Sequence, residues 1–294
     1  MRDRQQFVQI GNVKPNTQYS NSGTPQGTVS GPNDFKLLIN DLTFTADYAK
    51  FVDDTTISSV SDDPYDDSLQ KEAVHLCSWT DANGMRVHET KTKEMAMHPD
   101  SSIDLDHLPR IIINGKQIER VDTFKLLGVI ISSDLSWSAH VSYILKKVSK
   151  RMYCIRYLVR AGVKESDIVQ VYTSIVRSVL EYACPVWHPG LTMEQSNEIE
   201  RVQKRCLKLI YPSLSYIEAL SASCLDRLSV RRETSTCSMF NEIKDPDHVL
   251  HYLLPKRKVT TLMSTRNSYP YHIPITKATR YGRGFIPYCI SRRF

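Results

Sequence analysis

Two adjacent carboxylates, Asp53 and Asp54, stand in the stretch Lys50-Phe51-Val52-Asp53-Asp54-Thr55-Thr56-Ile57, flanked by apolar and β-branched residues that favour strands. An Asp-Asp pair at a strand-turn-strand tip suits a divalent cation. Mg²⁺ prefers hard oxygen ligands and tolerates few protein carboxylates beside substrate phosphates. The pairs Asp62-Asp63 and Asp66-Asp67 differ in context, lying among Ser, Pro and Tyr, and read as a solvated loop. A dipeptide is a weak signal taken alone, so its meaning rests on the elements around it.

Those elements follow from periodicity and turn chemistry. Phe7 to Val13 reads as a strand, followed by a polar loop. Gly23-Thr24-Pro25-Gln26-Gly27-Thr28-Val29-Ser30-Gly31-Pro32 holds three glycines and two prolines, which marks a loop whose backbone can approach a partner closely. Phe35 to Leu42 is apolar enough for a buried helix, placing that loop at a helix N-terminus, where free N–H groups favour phosphate. Ser68 to Asn83 carries helical spacing with Gly84 as its stop, and Met85 to Met97 alternates like a strand entered through a charged turn. Asn114-Gly115 predicts a type I′ turn between Arg110-Ile111-Ile112-Ile113 and Lys116-Gln117-Ile118. Phe124 to Ile131, which includes Leu127 and Gly128, reads as one long strand with a glycine for a bulge or a close approach.

Beyond this point the period changes from two to about 3.6. Val141, Ile144, Leu145, Val148, Met152 and Ile155 form one apolar stripe, while Lys146, Lys147, Lys150, Arg151, Arg156 and Arg160 leave that helix strongly basic. Ile168, Val171, Tyr172, Ile175 and Val179 mark a second helix. A third opens on Thr192-Met193-Glu194-Gln195, a capping-box pattern, and continues through Ile199, Val202, Cys206 and Leu209. Short helices joined by Gly/Pro turns imply a bundle. Its basic face suits a nucleic-acid backbone.

The 294 residues are 41% hydrophobic and 24% charged, enough for sizeable cores. The net charge of +6 is unevenly spread. From Lys244 onward ten Lys or Arg face two acids, a balance of +8, and the composition turns rich in Pro, Tyr and Arg, so extended, weakly packed structure is expected there. Seven cysteines without a Cys-x-x-Cys pair argue for a reducing compartment and against a zinc site. The absence of a signal-peptide core or a long apolar run points to an intracellular protein, cytoplasmic or nuclear, with no membrane partner. Nothing in the sequence specifies an oligomeric state.

The order of these pieces resembles the palm and thumb of non-LTR retrotransposon (LINE-type) reverse transcriptases. Gly23 to Pro32 looks like that family's substrate-contacting Pro-Gln-Gly motif, Phe51-Val52-Asp53-Asp54 its metal-binding motif, Lys91-Thr92-Lys93 its lysine turn and Leu126-Leu127-Gly128 its primer-grip strand. Arg177-Ser178-Val179-Leu180-Glu181-Tyr182-Ala183, Pro185-Val186-Trp187 and Ile199 to Arg205 resemble its thumb-side segments, and Phe285-Ile286-Pro287-Tyr288 extends the likeness towards the end of the chain. The implied fold is α+β: a partial palm of antiparallel strands and helices over residues 1–135, a helical thumb-like domain over 136–235 and an irregular basic segment over 236–294.

The implied activity is RNA-directed DNA polymerisation. The partners are an RNA template, a DNA primer and deoxynucleoside triphosphates, and the cofactor is Mg²⁺ or Mn²⁺ at a two-metal site. By resemblance Asp53 and Asp54 are the metal ligands. Lys91 neutralises or protonates the pyrophosphate leaving group. Pro25, Gln26, Gly27 and Phe51 contact nucleotide and template, and Leu127 and Gly128 contact the primer. Lys146, Lys147, Lys150 and Arg151 hold the nucleic-acid backbone.

The family places a further metal-binding Asp on a strand well upstream of Pro-Gln-Gly. Here 22 residues precede Gly23 and their single acid is Asp3, so an incomplete metal site with little autonomous activity is expected. Asn33-Asp34 and His88 also depart from the family pattern. The alternative is a non-catalytic, retroelement-derived nucleic-acid-binding protein.

Overall fold

The computed structural model describes residues 31–63, 65–98, 108–257 and 282–292, with short pieces at 4–6, 11, 16, 18–20, 29, 105 and 271–272. The chain divides into two units, residues 1–96 with 100–121 and residues 97–99 with 122–294. Helices and small sheets are mixed throughout, in keeping with an α+β class.

In the first unit, β1 (Arg4–Gln6) pairs antiparallel with β2 (Gln18–Ser20). The expected strand Phe7 to Val13 lies outside the described residues except for Gly11, a turn residue. Helix α1 (Gly31–Ile39) carries Pro32 in its first turn, where a missing N–H breaks no helical bond. Its expected burial is found only in part: Gly31 and, just beyond the helix, Leu42 are buried, Phe35, Leu38 and Ile39 are half-buried, and Leu37 is 76% exposed. The hairpin β3 (Asp47–Phe51) and β4 (Asp54–Ser58) follows, then α2 (Ser68–Ala82), which ends at Asn83 and Gly84 as its sequence predicts.

The expected strand from Met85 to Met97 shortens to β5 (Lys93–Glu94). Residues before it curl into a turn, because the backbone N–H groups of Lys91 and Thr92 both donate to the His88 carbonyl at 3.0 Å. Strand β5 pairs parallel with β8 (Glu119–Arg120), and β6 (Ile112–Ile113) pairs antiparallel with β7 (Lys116–Gln117). Asn114 and Gly115 between them both have positive φ, 50° and 74°, as a type I′ turn demands. Gln70 on α2 acts as a surrogate strand neighbour for Ile112, accepting from its N–H at 2.8 Å and donating to its carbonyl at 3.0 Å. Ala73, Ile113 and Ile118 form the small core beneath.

In the second unit, β9 (Thr123–Leu126) and β10 (Val129–Ser132) form an antiparallel hairpin, not the single strand expected from Phe124 to Ile131. Leu127 and Gly128 are its two turn residues, with φ of 46° and 90°. An apolar run with a central glycine carries no polar punctuation to announce a turn, which is why its sequence reads as continuous. Helix α3 (Ser138–Arg160) follows and buries the expected stripe, with Leu145 only partly covered.

The next helical run consists of α4 (Glu165–Val171), a π-helical segment (Tyr172–Arg177) and α5 (Ser178–Glu181). Its buried residues are Ile168, Val169, Tyr172, Val176, Val179 and Leu180, the most deeply buried of them four apart, where a regular helix predicts Ile175 on the buried face. The wider π turn advances the face by one residue and turns Ile175 partly outward. After α6 (Cys184–Trp187), helix α7 (Met193–Ile210) opens on the predicted capping box. Thr192 Oγ1 accepts from Gln195 N at 3.2 Å and Gln195 Oε1 accepts from Thr192 N at 2.9 Å.

Helices α8 (Tyr216–Ser223) and α9 (Leu228–Ile243) complete this core. Gln203 lies at its centre, fully buried. Its Oε1 accepts from Tyr172 Oη at 2.7 Å, and its Nε2 donates to Tyr216 Oη at 3.0 Å and to the Asp226 carbonyl at 2.9 Å. The stretch expected to be irregular contains α10 (Phe285–Arg292), whose Cys289 and Ile290 are buried with Phe240 and Tyr271. An eight-residue helix inside a Pro/Tyr/Arg-rich segment is too short for its periodicity to stand out.

Candidate active site

The Asp-Asp stretch forms the tip of the β3–β4 hairpin. Phe51 pairs with Asp54 in register, so Val52 and Asp53 are the two turn residues. Val52 alone of these two has positive φ, 56°, the sign pattern of a type II′ turn. A β-branched side chain is disfavoured there, since its Cβ crowds the backbone, and strain of about 1–3 kcal/mol is the usual cost. The effect of this conformation is to hold Asp53 and Asp54 at the apex. Both are exposed, and Phe51 beside them is 61% exposed.

Two side chains anchor the hairpin within its unit. Lys50 on β3 reaches back to the end of α1, donating from Nζ to the carbonyls of Ile39 and Leu42, each at 2.7 Å. A cation at that position answers both the free carbonyls and the negative end of the helix dipole. Glu72 on α2 is buried, and its Oε1 accepts from the backbone N–H groups of Thr45 at 2.8 Å and Ala46 at 2.9 Å, which fixes the entry into β3. His75 adds a 3.0 Å contact to the Thr43 carbonyl. The sequence does not reveal either anchor, because a lysine in a strand and a glutamate in a helix are ordinary surface residues.

Lys91 is exposed in the turn closed on His88, while Lys93 pairs with Glu119 at 2.5 Å. The turn is backed by Glu94, which holds Arg120 at 2.6 Å, while Arg120 also donates to the carbonyls of Leu105 and Pro109. Pro25, Gln26 and Gly27 lie outside the described residues. Among the described residues no three His, Cys, Asp or Glu side chains gather into a metal-binding group. The donors at the apex are hard carboxylate oxygens open to water, which suits Mg²⁺ or Mn²⁺ completed by waters and phosphates.

In the second unit, the turn of the β9–β10 hairpin is covered by Tyr182, whose hydroxyl donates to the Leu127 carbonyl at 2.8 Å. A Cβ at Gly128 would lie 3.1 Å from Tyr182 Cε1, so the glycine is required both for its φ and for this approach. Glu181, next to Tyr182, receives Arg231 through Nε at 2.5 Å and Nη2 at 3.1 Å, and buried Trp187 donates to the Tyr182 carbonyl at 2.9 Å. The segments Arg177 to Ala183 and Pro185 to Trp187 thus brace the turn.

Of the expected backbone-binding cations, Lys146, Lys147 and Lys150 are exposed on α3. Arg151 is not free in the same way: its Nη1 donates to the Ile175 carbonyl in the π-helical segment. Lys147 and Lys125 both lie over the Tyr143 ring, at 5.9 Å and 5.1 Å from its centroid.

Residues 3–131 match the reverse transcriptase (RNA-dependent DNA polymerase) family. A retrovirus-related Pol polyprotein from type-1 retrotransposable element R1 of Bradysia coprophila is 24% identical over 209 residues, covering 68% of this chain and 20% of the relative. A probable RNA-directed DNA polymerase from transposon X-element of Drosophila melanogaster is 21% identical over 261 residues, covering 85% of this chain and 27% of the relative. The RNA-directed DNA polymerase from mobile element jockey of Drosophila funebris is 23% identical over 231 residues, 72% of this chain and 24% of that protein. No solved structure matches. Over residues 3–131 the chain is thus similar to a reverse transcriptase domain, and the relatives it resembles are retrotransposon proteins. It spans about a quarter or less of the curated relatives it matches.

Proposed function

We propose that the first unit contributes the carboxylate hairpin of an RNA-directed DNA polymerase and that α3 of the second grips the nucleic-acid backbone. The observation that carries this reading is the hairpin: Asp53 and Asp54 sit exposed at the apex of a strained two-residue turn, anchored from behind by Lys50 and Glu72. The divalent ion bound there would supply charge neutralisation for in-line phosphoryl transfer to a primer 3′-hydroxyl. Asp53 is the direct ligand and Asp54 the accessory carboxylate. Lys91 offsets charge on the departing pyrophosphate. Phe51 packs on the nucleotide, Leu127 and Gly128 contact the primer, and the partners are RNA template, DNA primer and deoxynucleoside triphosphates. A two-metal centre draws on more carboxylates than these two.

The test is extension of an oligo(dT) primer on a poly(rA) template with Mg²⁺ or Mn²⁺, comparing the protein with Asp53→Ala. Loss of incorporation by about 10²- to 10³-fold in the variant supports a catalytic hairpin. Equal background incorporation by both would leave nucleic-acid binding as the function.

A further inference from the structure

Helix α3 presents a solvent face that neither the hairpin nor the core uses. Its apolar stripe is buried, and the opposite face carries Lys146, Lys150, Tyr153, Arg156, Tyr157 and Arg160, all exposed and with no acid among them. Successive steps of four, three, three, one and three residues keep these six on one side of a 3.6-residue helix, over about 21 Å of its length. Tyr153 and Tyr157 have 68% and 61% of their area in water. Between α3 and α7 lies a cavity of about 410 Å³, floored by Leu145, Val148, Met152 and Val202 and edged by Ser149, Glu198, Arg201 and Arg205.

We infer that this face binds single-stranded RNA, with Tyr153 and Tyr157 stacking on unpaired bases while the flanking lysines and arginines hold phosphates. The inference rests on the proposed polymerase reading and deepens it, adding base stacking on an unpaired RNA strand to the backbone contacts that the same lysines make with a hybrid.

Three observations support that occupant. Tyr153 and Tyr157 lie one turn apart, about 6 Å along the helix, nearly twice the base step of about 3.4 Å in a stacked strand, so bases seated on both must be splayed apart. In an intact duplex the base faces are covered by their neighbours, and only an unpaired strand can offer them to an aromatic ring. The alternation of cation and aromatic along one face is the pattern of sequence-tolerant strand binding, where charge tracks the backbone and rings take the bases. A lipid surface fits less well, because the apolar stripe that would enter a membrane is already buried in the core.

The test measures binding of the full chain to fluorescein-labelled 12-nucleotide oligo(rA), by anisotropy, against an abasic strand of equal length, a blunt RNA–DNA hybrid and heparin. Tyr153→Ala and Tyr157→Ala are each expected to weaken oligo(rA) binding by about tenfold and to leave hybrid and heparin affinity unchanged. The Phe variants should bind as the unaltered protein does, and the abasic strand should bind weakly and ignore both changes. Because both rings are exposed, unchanged thermal unfolding is expected to show that the variants fold. Unchanged oligo(rA) affinity in the Ala variants would overturn the inference, as would parallel losses on heparin or a preference for oligo(dA). Continued Asp53-dependent primer extension in that event would show that the polymerase reading stands without it.

Discussion

Tyr182 donates its hydroxyl to the Leu127 carbonyl at 2.8 Å, and its ring edge leaves no ordinary room for a side chain at Gly128. Fifty-five residues of sequence separate the tyrosine from the turn it covers, and the contact joins the helical part of the second unit to the hairpin proposed to touch primer.

Two substitutions separate the parts of this contact. Tyr182→Phe removes one partly exposed hydrogen bond and is expected to cost about 0.5–1 kcal/mol of stability. Gly128→Ala places a Cβ at φ of 90° and 3.1 Å from the ring, and is expected to cost about 1–3 kcal/mol. Urea unfolding followed by circular dichroism reads both, and an effect of Gly128→Ala smaller than that of Tyr182→Phe would contradict the assigned roles.

The turn at Val52 leads to the opposite expectation. With φ of 56°, replacement by Gly, which a type II′ turn favours at its first central position, should raise the stability of the first unit by about 1 kcal/mol. A shift of the urea midpoint upward checks this; a fall would show that the valine side chain contributes more than its backbone costs.

His140 makes stability depend on pH. It is buried between Trp137 and Trp187, with ring centroids 6.2 Å and 5.4 Å away, and its Nδ1 accepts from Ile130 N at 3.2 Å. Burial pushes it down to about 4 from its ordinary value of 6.5. Above pH 6.5 the ring is neutral in both folded and unfolded chains, so it adds no pH dependence. As pH falls from about 6.5 towards 4 only the unfolded chain takes up this proton, and stability drops by about 3 kcal/mol in total. His140→Asn keeps an acceptor for Ile130 and should flatten that part of the profile. His188, also pushed down by burial, titrates in both proteins, so the difference between the two curves isolates His140.

Affinity for an RNA–DNA hybrid should fall steeply with salt, since Lys146, Lys147 and Lys150 are exposed cations along one helix. Each Lys→Ala change is expected to reduce the slope of log affinity against log salt by about one unit. Arg151→Ala should act differently, lowering thermal stability with little effect on that slope, because its guanidinium serves the Ile175 carbonyl. A salt slope that is unchanged in all three lysine variants would remove α3 from the interface.

Local chemistry made much of this molecule legible in its sequence. Asn114-Gly115 specifies a type I′ turn through two residues that tolerate positive φ, and Thr192 with Gln195 specifies a helix start because both partners lie within one turn. The stripe from Val141 to Ile155 predicts the buried face of α3, since burial on one side of a regular helix imposes its period on the sequence. The Asp-Asp apex is legible for the same reason, as a short turn between β-forming residues.

Tertiary structure decided what depends on partners distant in sequence. Phe124 to Ile131 folds at Leu127-Gly128, where Tyr182 covers the turn, and Arg151 is drawn inward by the Ile175 carbonyl of the π-helical segment. That Lys50 and Glu72 serve as anchors of the hairpin is likewise set by the carbonyls and amides they meet, 8 to 11 and 26 to 27 residues away. A residue type states which bonds a side chain can make; the fold decides which partner is within 3 Å.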